Sequence, residues 1–357
     1  MCCSPRPPLP EPAMDAVPEP AEATAGRVRL ALASDIHYAG PREQARGEDA
    51  DLLQIPNPIQ RAALRCWRHR FWMRHPLGNN ALLDRFLEQA VQAECTHAIV
   101  NGDYAADTAS LGLSDEGTWE SACLCVHRLR KVFGDRLRLV IGDHELGKLS
   151  FFGHYGGLRL VSWERATKGL GLAPVWAWDL GVYRLIAVTS TLVALPMFRR
   201  DMLPEERPLW EHLRRVHLEE LAAALQPLAP HRRWILFCHD PTALPFLAEL
   251  PAVRQHLDQV ALTVIGHLHS PLILWKSWLL AGMPRVRRLG VSVERMSGAL
   301  RQAAVWKQFR VRLCPSLAGI QLERGGGWVE LELSPAGDRP FGWRVHKLRR
   351  ESARVHR

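Results

Sequence analysis

Five short apolar runs in this 357-residue chain each end in a side chain that can bind a metal ion. The runs and their closing residues are LALASDIH with Asp35 and His37, AIVNGD with Asp103, LVIGDHE with Asp143, ILFCHD with His239, and TVIGHLH with His267 and His269. A short apolar run bounded by glycine or a polar residue is typical of a buried strand. Ligands at the ends of several strands are the usual way in which an α/β sheet builds a site. The repetition therefore predicts strands whose ends share one functional centre.

Length and composition allow a large hydrophobic core. With 47% hydrophobic residues, the chain can form one domain with insertions or two domains. No run of about 18 uninterrupted apolar residues occurs, so we predict no transmembrane helix. Residues 1–26 are rich in Pro, Ala and Glu, lack the features of a signal peptide, and predict a disordered tail. We expect a single domain over 27–350, with insertions at about 40–78 and 271–310.

The chain is basic, with 46 Lys and Arg against 37 Asp and Glu and a formal net charge of +9. This balance favours an anionic partner such as a phosphate, a nucleic acid or an acidic membrane surface, and charge alone does not choose among them. The eight cysteines lack the paired spacing of a disulfide or zinc framework, which favours a reduced, cytoplasmic protein. No sequence feature identifies a protein partner.

The predicted elements alternate between strands and helices. In the first half we expect strands at 27–34, 97–103 and 136–143 and helices at 79–94 and 118–133, followed by an irregular loop at 147–171. In the second half we expect a possible hairpin of 175–181 with 183–190, a helix at 204–226, strands that end at His239 and His267, and closing strands at 328–334 and 341–348. This βαβ rhythm favours a sheet flanked by helices. His217 falls on the apolar stripe of the helix at 204–226, which predicts a core or boundary residue rather than a ligand.

Two pairs of candidate ligands are separated by one residue, namely Asp35 with His37 and His267 with His269. On an extended backbone such residues point the same way, so both members of a pair would reach one ion. Carboxylate and imidazole ligands without thiolate suit Mn, Fe, Zn, Ni or Co.

Seven candidate ligands exceed the number that one ion needs when coordination positions must stay open for a substrate. We therefore expect two ions bridged by a shared carboxylate. Such a pair activates a water molecule and clamps phosphate oxygens during in-line attack, which predicts phosphoester hydrolysis. Each residue alone also has a structural explanation, because an Asp after a strand often caps a turn or helix. The combination favours the metal site.

The order of these motifs resembles the signature of the calcineurin-like metallophosphoesterases, DxH, GD, G(N/D)H(E/D), H and GHxH. Here they stand as Asp35-Ile36-His37, Gly102-Asp103, Gly142-Asp143-His144-Glu145, His239 and Gly266-His267-Leu268-His269. The resemblance spans residues 30–270. It implies an α/β fold, a four-layer α/β/β/α sandwich of two mixed sheets with flanking helices, in which the metals lie at the strand ends.

The resemblance also implies a role for each residue. It assigns the first ion to Asp35, His37 and His269, the second to Asp143, His239 and His267, and the bridge to Asp103. The ions would be two divalent cations, manganese first, with Fe, Zn, Ni or Co as alternatives. His144, which the family does not use as a ligand, would lie over the phosphate as proton donor to the leaving group or as charge stabiliser. The expected pKa of His144, near neutrality, suits it for that role.

The chain departs from the family pattern at two places. Asp143 stands where Asn is usual, so the extra negative charge should bind the second cation more tightly and make it a weaker Lewis acid. The segment GDYAADTA carries Ala106 where the protein serine/threonine phosphatases have the second Asp of GDxxDRG. A phosphoprotein substrate is therefore disfavoured.

Substrate specificity should come from the insertions. Residues 61–75 and 272–288 both interleave basic side chains with Trp and Leu, which predicts an interfacial surface with cations on lipid phosphate. The candidate substrate-binding residues are Arg65, Arg68, Arg70 and Trp72. An ordinary amphipathic cap helix with a solvated Arg face is an alternative, and a nucleic-acid groove with stacking aromatics is another.

A phosphoesterase with a basic, apolar entrance is similar to the bacterial UDP-2,3-diacylglucosamine pyrophosphatases of lipid A synthesis. That resemblance implies pyrophosphate hydrolysis of a lipid nucleotide by a cytoplasmic protein peripheral to the inner membrane. The best-known branch carries Arg where His144 stands, so this chain would belong to a divergent branch. A soluble nucleotide or nucleic-acid phosphodiesterase or phosphatase is one alternative. A non-catalytic scaffold on the same fold is the other.

Overall fold

The computed structural model describes residues 26–226, 228–286, 291–323 and 325–349. Within these ranges, ten strands form two five-stranded mixed sheets with helices packed against them. The predicted α/β fold, a four-layer sandwich of two mixed sheets, is confirmed. The predicted disordered tail at 1–26 lies outside the described residues except for Gly26.

The strands divide between the sheets in an order that mixes the two halves of the chain. They are β1 (Val28–Ala33), β2 (His97–Val100), β3 (Leu137–Leu139), β4 (Val175–Leu180), β5 (Tyr183–Val188), β6 (Arg233–Cys238), β7 (Val260–Ile265), β8 (Val311–Leu313), β9 (Gly325–Leu333) and β10 (Gly342–Arg349). The first sheet has the order β10-β9-β1-β2-β3 and the second β4-β5-β6-β7-β8. Strands β1 to β3 are parallel, as are β5 to β8, so each sheet gathers several carboxyl strand ends at one edge.

The remaining pairings are antiparallel. Strand β4 pairs with β5 as the predicted hairpin. The two closing strands pair with each other and join the first sheet through β9, which lies beside β1. Residue alternation along β1 explains the layers, because Leu30 and Leu32 pack in the core between the sheets with Phe237, whereas Ala31 and Ala33 belong to the core under the helices.

The helices cover the outer faces of the sheets. They are α1 (Pro41–Arg46), α2 (Ala50–Leu53), α3 (Pro58–Phe71), α4 (Asn80–Gln92), α5 (Glu116–Phe133), α6 (Asp143–Leu146), α7 (Leu160–Glu164), α8 (Ser190–Val193), α9 (Arg207–Leu225), α10 (Leu244–Glu249), α11 (Pro251–Arg254), α12 (Pro271–Leu279) and α13 (Val291–Arg301). Helices α4, α5 and α9 confirm the three long predicted helices to within a few residues. The side chain of Asp115 caps α5 by accepting from the backbone N–H groups of Gly117 and Thr118, each at 3.0 Å. His217 of α9 is buried, as its place on the apolar stripe predicts.

The predicted irregular loop at 147–171 is wrong in part, because α7 and a π-helical turn at Arg165–Gly169 lie within it. A contact with a distant segment fixes this helix. The Ser162 hydroxyl donates to the Leu111 carbonyl and accepts from the N–H of Ser114, both at 2.8 Å. A short helix held in this way leaves little periodic signal in its own sequence.

Both predicted insertions are mainly helical and lie over the strand ends. The first contains α1 to α3, and the second contains α12, α13 and a 3-10 segment at Ala303–Phe309. None of the helices in the described part of the chain has the length and apolar character that crossing a membrane requires. The division into a tail and one domain stays a prediction.

Candidate metal centre

The seven predicted ligands come together at the carboxyl ends of five strands and form two adjacent groups. One group contains Asp35, His37 and His269, and the other contains Asp103, Asp143, His239 and His267. Within each group the candidate ligand atoms all lie within 4.8 Å of one another. All but His267 are buried. Side chains from both sheets contribute to both groups, so the centre sits across the edge of the sandwich.

Asp103 lies between the two groups. It belongs to the second group, and it also forms a third set within the same distance limit together with His37 and His144. Its Oδ1 accepts from the backbone N–H of His144 at 3.0 Å. Its Oδ2 lies 3.1 Å from Nε2 of His239 but makes no hydrogen bond. A buried carboxylate oxygen without a donor fits a place beside a cation.

Five of the seven candidate ligands have a left-handed rather than an extended backbone, so the condition under which each pair was expected to reach one ion is not met. The φ angles are 51° at Asp35, 50° at His37, 60° at Asp103, 57° at His267 and 60° at His269. Left-handed geometry at non-glycine residues costs on the order of 1 to 3 kcal/mol each and persists only where surrounding contacts fix it. Here the next strand's loop fixes it, because the N–H groups of Asp35 and His37 both donate to carbonyls of residues 102 and 103 at 3.1 Å.

The pair His267 and His269 therefore divides between the two groups. The Nε2 atom of His269 lies 3.2 Å from Oδ1 of Asp35, whereas Nδ1 of His267 lies 3.1 Å from Oδ1 of Asp143. An extended backbone would have let both histidines reach one ion. The division that the family resemblance implied matches the observed grouping.

Two glycines are required by close approach at this centre. A Cβ atom on Gly142 would lie 2.3 Å from Oδ1 of Asp103, and one on Gly266 would lie 2.0 Å from the Ser34 hydroxyl and 2.8 Å from Oδ2 of Asp35. Any side chain at either position would displace a candidate ligand. The absence of a side chain at Gly142 and Gly266 therefore has a steric reason.

The carboxylates are held ionised by their neighbours. Burial alone would raise the pKa of Asp35, but His269, His239 and His37 bring the pKa well below its ordinary value. Burial would likewise raise the pKa of Asp143, and Lys148 and His267 bring it well below the usual range. The carboxylates of Asp35 and Asp143 are therefore negatively charged at neutral pH.

The histidines of the second group carry the compensating charge in the metal-free protein. Burial would lower the pKa of His239, but Asp103 and Asp143 raise it well above the ordinary value. Burial would also lower the pKa of His267, but the charge of Asp143 raises it to about 9. Protons thus occupy positions between carboxylate and imidazole that a divalent cation would take. Metal binding should accordingly release protons.

The orientation of His239 fits a metal ligand. Its Nδ1 lies 2.5 Å from the carbonyl oxygen of Asn101, which fixes the ring with Nε2 facing the carboxylates. A backbone carbonyl that holds the far nitrogen is the common arrangement for a ligating histidine. In the first group, Nδ1 of His269 has no hydrogen-bond partner. The nitrogen and oxygen donors of both groups suit two divalent ions, and they do not select one element.

His144 lies beside this centre on the wall of a cavity. Its ring meets the ring of His37 edge-on with centroids 4.7 Å apart, and its Nε2 lies 2.5 Å from Nζ of Lys148. Burial, followed by the charge of Lys148, lowers the pKa of His144 to about 4. The expected pKa near neutrality is therefore wrong for the metal-free protein. With Nε2 accepting from Lys148, the ring proton sits on Nδ1, which has no partner.

Sequence reasoning missed Lys148 and gave no role to Glu145. Lys148 Nζ lies 2.8 Å from Oδ2 of Asp143, and its spacing of four from His144 was the available signal. Glu145 accepts from the N–H groups of Asp103, Tyr104 and Gly142 at 2.8 to 3.0 Å, so it ties two ligand loops together. Its position three residues after Gly142, at the start of α6, was the signal.

The four predicted substrate-binding residues lie in or just after α3 and have different surroundings. Trp72 lines the cavity, and its ring lies against the ring of His269 at a tilt. Arg68 also lines the cavity, but its guanidinium is bound to Asp51 at 2.7 Å. Arg65 pairs with Asp49 at 2.8 Å and Arg70 is exposed, and neither is among the residues that line the cavity. A substrate-binding role stays a prediction for all four.

The cavity above the metal groups has a volume of about 500 Å³. Its polar lining includes Asp103, Asp143, His144 and His267. The two insertions supply most of its apolar walls, including Leu64, Trp67, Met73, Ile273, Leu300 and Trp306. This volume lies in the range that accommodates a drug-sized ligand, and the lining contains both charged and apolar side chains.

No family model matches the chain, and no curated protein matches its sequence. Among solved structures, the chain is similar to a dimetal phosphatase from Danio rerio, with 14% identity, a TM-score of 0.49, and coverage of 90% of this chain and 96% of that one. It is also similar to a phosphopantetheinyl hydrolase from Mycobacterium tuberculosis, with 15% identity, a TM-score of 0.32, and coverage of 70% and 85%. Likeness at this level carries no information about activity, which has to be argued from the site's own residues.

Proposed function

We propose that the chain is a dinuclear-metal-dependent hydrolase of a phosphodiester or pyrophosphate bond. The observation that carries this proposal is the pair of adjacent carboxylate and imidazole groups, joined at Asp103, on the wall of a cavity. Paired divalent ions roughly 3.5 to 4 Å apart are the usual device for in-line displacement at phosphorus. A structural role explains neither the left-handed backbone at five of these residues nor the donorless oxygen of Asp103.

Each candidate ligand has a place in this proposal. Asp35, His37 and His269 would hold the first ion, Asp143, His239 and His267 would hold the second, and Asp103 lies within reach of both groups. Bound there, two divalent ions would supply positive charge to phosphate oxygens and increase the acidity of the attacking water. Manganese is our first expectation, and Fe, Zn, Ni or Co would suit the same donors.

In this proposal, His144 orients and stabilises the substrate by hydrogen bonding. Its ring is neutral at pH 7, and its Nδ1–H has no protein acceptor. Because His144 lines the cavity, a phosphate bound there would meet a neutral imidazole rather than an imidazolium. We therefore favour charge stabilisation by a neutral imidazole over proton donation by an imidazolium.

The apolar walls favour a substrate that carries an apolar group close to its phosphate. An inorganic phosphate would leave Leu64, Trp67 and Trp306 uncovered and a nucleobase would stack only on the indoles, whereas an acyl chain suits all three side chains. A lipid nucleotide meets both requirements of the cavity. We propose UDP-2,3-diacylglucosamine as the substrate, with hydrolysis of its pyrophosphate bond as in lipid A synthesis.

Exposed apolar side chains on the insertions support delivery of such a substrate from a membrane. Trp275 and Leu279 of α12 are 55% and 69% exposed, and Lys276 lies between them in sequence. Ile59 and Phe71 of α3 are also exposed. Apolar groups with cations beside them bind the headgroup region of an anionic bilayer. A peripheral position on the cytoplasmic face of the inner membrane belongs to this proposal.

The test is turnover by the purified, manganese-loaded protein. UDP-2,3-diacylglucosamine in detergent micelles and bis(p-nitrophenyl) phosphate are assayed in parallel, with His144→Ala as the inactive control. Faster turnover of the lipid nucleotide with release of UMP would support the full proposal. Cleavage of the aryl diester alone would support the reaction class but exclude the lipid substrate. That outcome would favour a soluble phosphodiesterase. No turnover of either substrate by a fully loaded protein would favour a non-catalytic scaffold.

Membrane binding is tested separately by sedimentation with vesicles of phosphatidylglycerol and of phosphatidylcholine. The double variant Trp275→Ser and Leu279→Ser should lose most binding to the anionic vesicles. Val161 is also exposed but lies on α7, so Val161→Ser is the matched control and should bind like the parent. Equal binding by the parent and the double variant would exclude this surface.

A further inference from the structure

Lys148 lies at the edge of the metal centre, just after the single-turn helix α6 and the positive-φ residue Gly147. Its Nζ lies 2.8 Å from Oδ2 of Asp143 and 2.5 Å from Nε2 of His144, and its side chain lines the cavity. The ammonium group therefore touches one candidate ligand and one candidate catalytic residue.

The contact with Lys148 makes the two oxygens of Asp143 different. Oδ1 faces the second metal group, with Nε2 of His239 and Nδ1 of His267 each 3.1 Å away. Oδ2 accepts from the Lys148 ammonium at 2.8 Å. One oxygen is thus free for an ion, and the other is held by a cation that belongs to the protein.

The other basic side chains that line the cavity are paired with carboxylates outside the metal groups. Arg68 binds Asp51 and Arg295 binds Asp201, each at 2.7 Å. Among the described residues that line the cavity, Lys148 differs because its carboxylate partner is a candidate ligand. Its charge therefore acts on the metal group directly.

We propose that Lys148 is a positioning residue that cancels the charge of Asp143 and restricts it to one ligating oxygen. This inference rests on the proposed function, because it concerns the second ion. An Asp paired with Lys has the net charge of an Asn, and it presents one oxygen to the ion as an Asn would. The pair thus compensates for the departure at position 143 from the motif that the chain resembles.

The inference predicts a specific coupling between the two residues. Removing Lys148 alone leaves Asp143 with its full charge and two free oxygens, so the second ion should bind more tightly. Replacing Asp143 alone by Asn leaves an unpaired ammonium beside the ion, so the second ion should bind more weakly. Making both changes should restore the original balance.

The experiment is calorimetric titration of the metal-free protein with Mn²⁺ at pH 7. Lys148→Met should increase the affinity of the second site for Mn²⁺ about tenfold, and Asp143→Asn should decrease it about a hundredfold. Changes of this size are typical when one charge beside a binding site is removed. The double variant should return to within about threefold of the parent. If the two single effects simply multiply in the double variant, the two residues act independently on the second site. That result would overturn the proposal.

Further variants separate charge from packing. Lys148→Arg keeps the charge and should bind Mn²⁺ like the parent, whereas Lys148→Gln keeps a donor without the charge and should resemble Lys148→Met. Lys168 forms an exposed ion pair with Glu164, so Lys168→Met is the control for loss of a lysine and should leave both sites unchanged. Melting curves of the metal-free variants identify any that do not fold, and Lys148→Gln then replaces Lys148→Met in the cycle.

The outcomes distinguish this inference from the proposed function. A parent protein that binds no Mn²⁺ would overturn the proposed function, and this inference with it. A parent that binds two ions, with a second site that does not respond to Lys148→Met or Lys148→Gln, would overturn the inference and leave the function standing.

Discussion

The indole ring of Trp72 lies against the imidazole ring of His269, with ring centroids 4.7 Å apart and planes inclined by 38°. One ring belongs to the first insertion and the other to the metal centre. On its other side Trp72 stacks on Trp67, with centroids 5.4 Å apart. The insertion and the candidate ligand are therefore parts of one packed unit, and substrate binding should depend on the contact between them.

Trp72→Ala should raise KM for the proposed lipid substrate at least tenfold, because it removes a cavity wall and the platform beneath His269. The protein should still bind two metal ions, since the variant keeps every candidate ligand. Trp178 contacts His97 with nearly the same tilted geometry, 4.8 Å and 37°, and does not line the cavity. Trp178→Ala is therefore the matched control. An equal change in KM for both variants would contradict the prediction.

Asp103→Asn should lose both ions. Asp103 is the carboxylate that lies within reach of both groups, and an amide of the same shape lacks its negative charge. Metal content after dialysis, measured by atomic emission, should fall from two ions per chain to less than one. The half-buried Asp84, which pairs with Arg128, provides the control Asp84→Asn. Full loading of Asp103→Asn would exclude a bridging role.

His144→Ala should keep both ions and lose turnover by a factor of about 10² to 10⁴, the range for removal of a positioned catalytic side chain. The reason is that His144 contacts Asp103 through its backbone N–H, which the variant retains. Metal content and steady-state kinetics are measured on the same preparation. His154 does not line the cavity, so His154→Ala should behave like the parent. Loss of an ion from His144→Ala would instead identify His144 as a ligand.

His217→Leu should stabilise the protein, and more so at acidic pH. His217 is buried in α9, neither ring nitrogen has a hydrogen-bond partner, and burial followed by Arg214 lowers its pKa from 6.5 to about 3. The unfolded chain binds a proton below pH 6.5 that the native protein does not bind until about pH 3. The native parent therefore loses stability as the pH falls from 6.5 toward 3, at about 1.4 kcal/mol per pH unit.

The measurement is urea denaturation of the parent and His217→Leu at pH 7 and pH 5. The variant should gain about 1 to 3 kcal/mol at pH 7 from removal of the unpaired nitrogens, and about 2 kcal/mol more at pH 5. His212 is exposed on the same helix, so His212→Leu controls for the loss of a histidine from α9. If the stability difference between the parent and His217→Leu were the same at both pH values, the protonation of His217 would not be the cause of the pH dependence.

Much of the fold was predictable because its signals are local. The apolar run of β1, the amphipathic face of α4 and the helical pattern of α5 each lie within one short segment, and all three elements appear where the sequence predicts them. Helix α7 was missed because a hydrogen bond to Leu111, fifty-one residues earlier, holds it. A pattern within 147–171 could not contain that contact.

By itself, the sequence determined which residues end the central strands, because strand periodicity and ligand chemistry are both properties of short segments. Asp35, Asp103 and His239 are identifiable as candidate ligands from the apolar runs that precede them. The tertiary structure decided how the ligands divide into groups, because the division depends on left-handed turns that backbone contacts between separate loops stabilise. It also decided that Lys148 faces Asp143. Charge and orientation at a site are set by the side chains that surround it, and folding brings those side chains together.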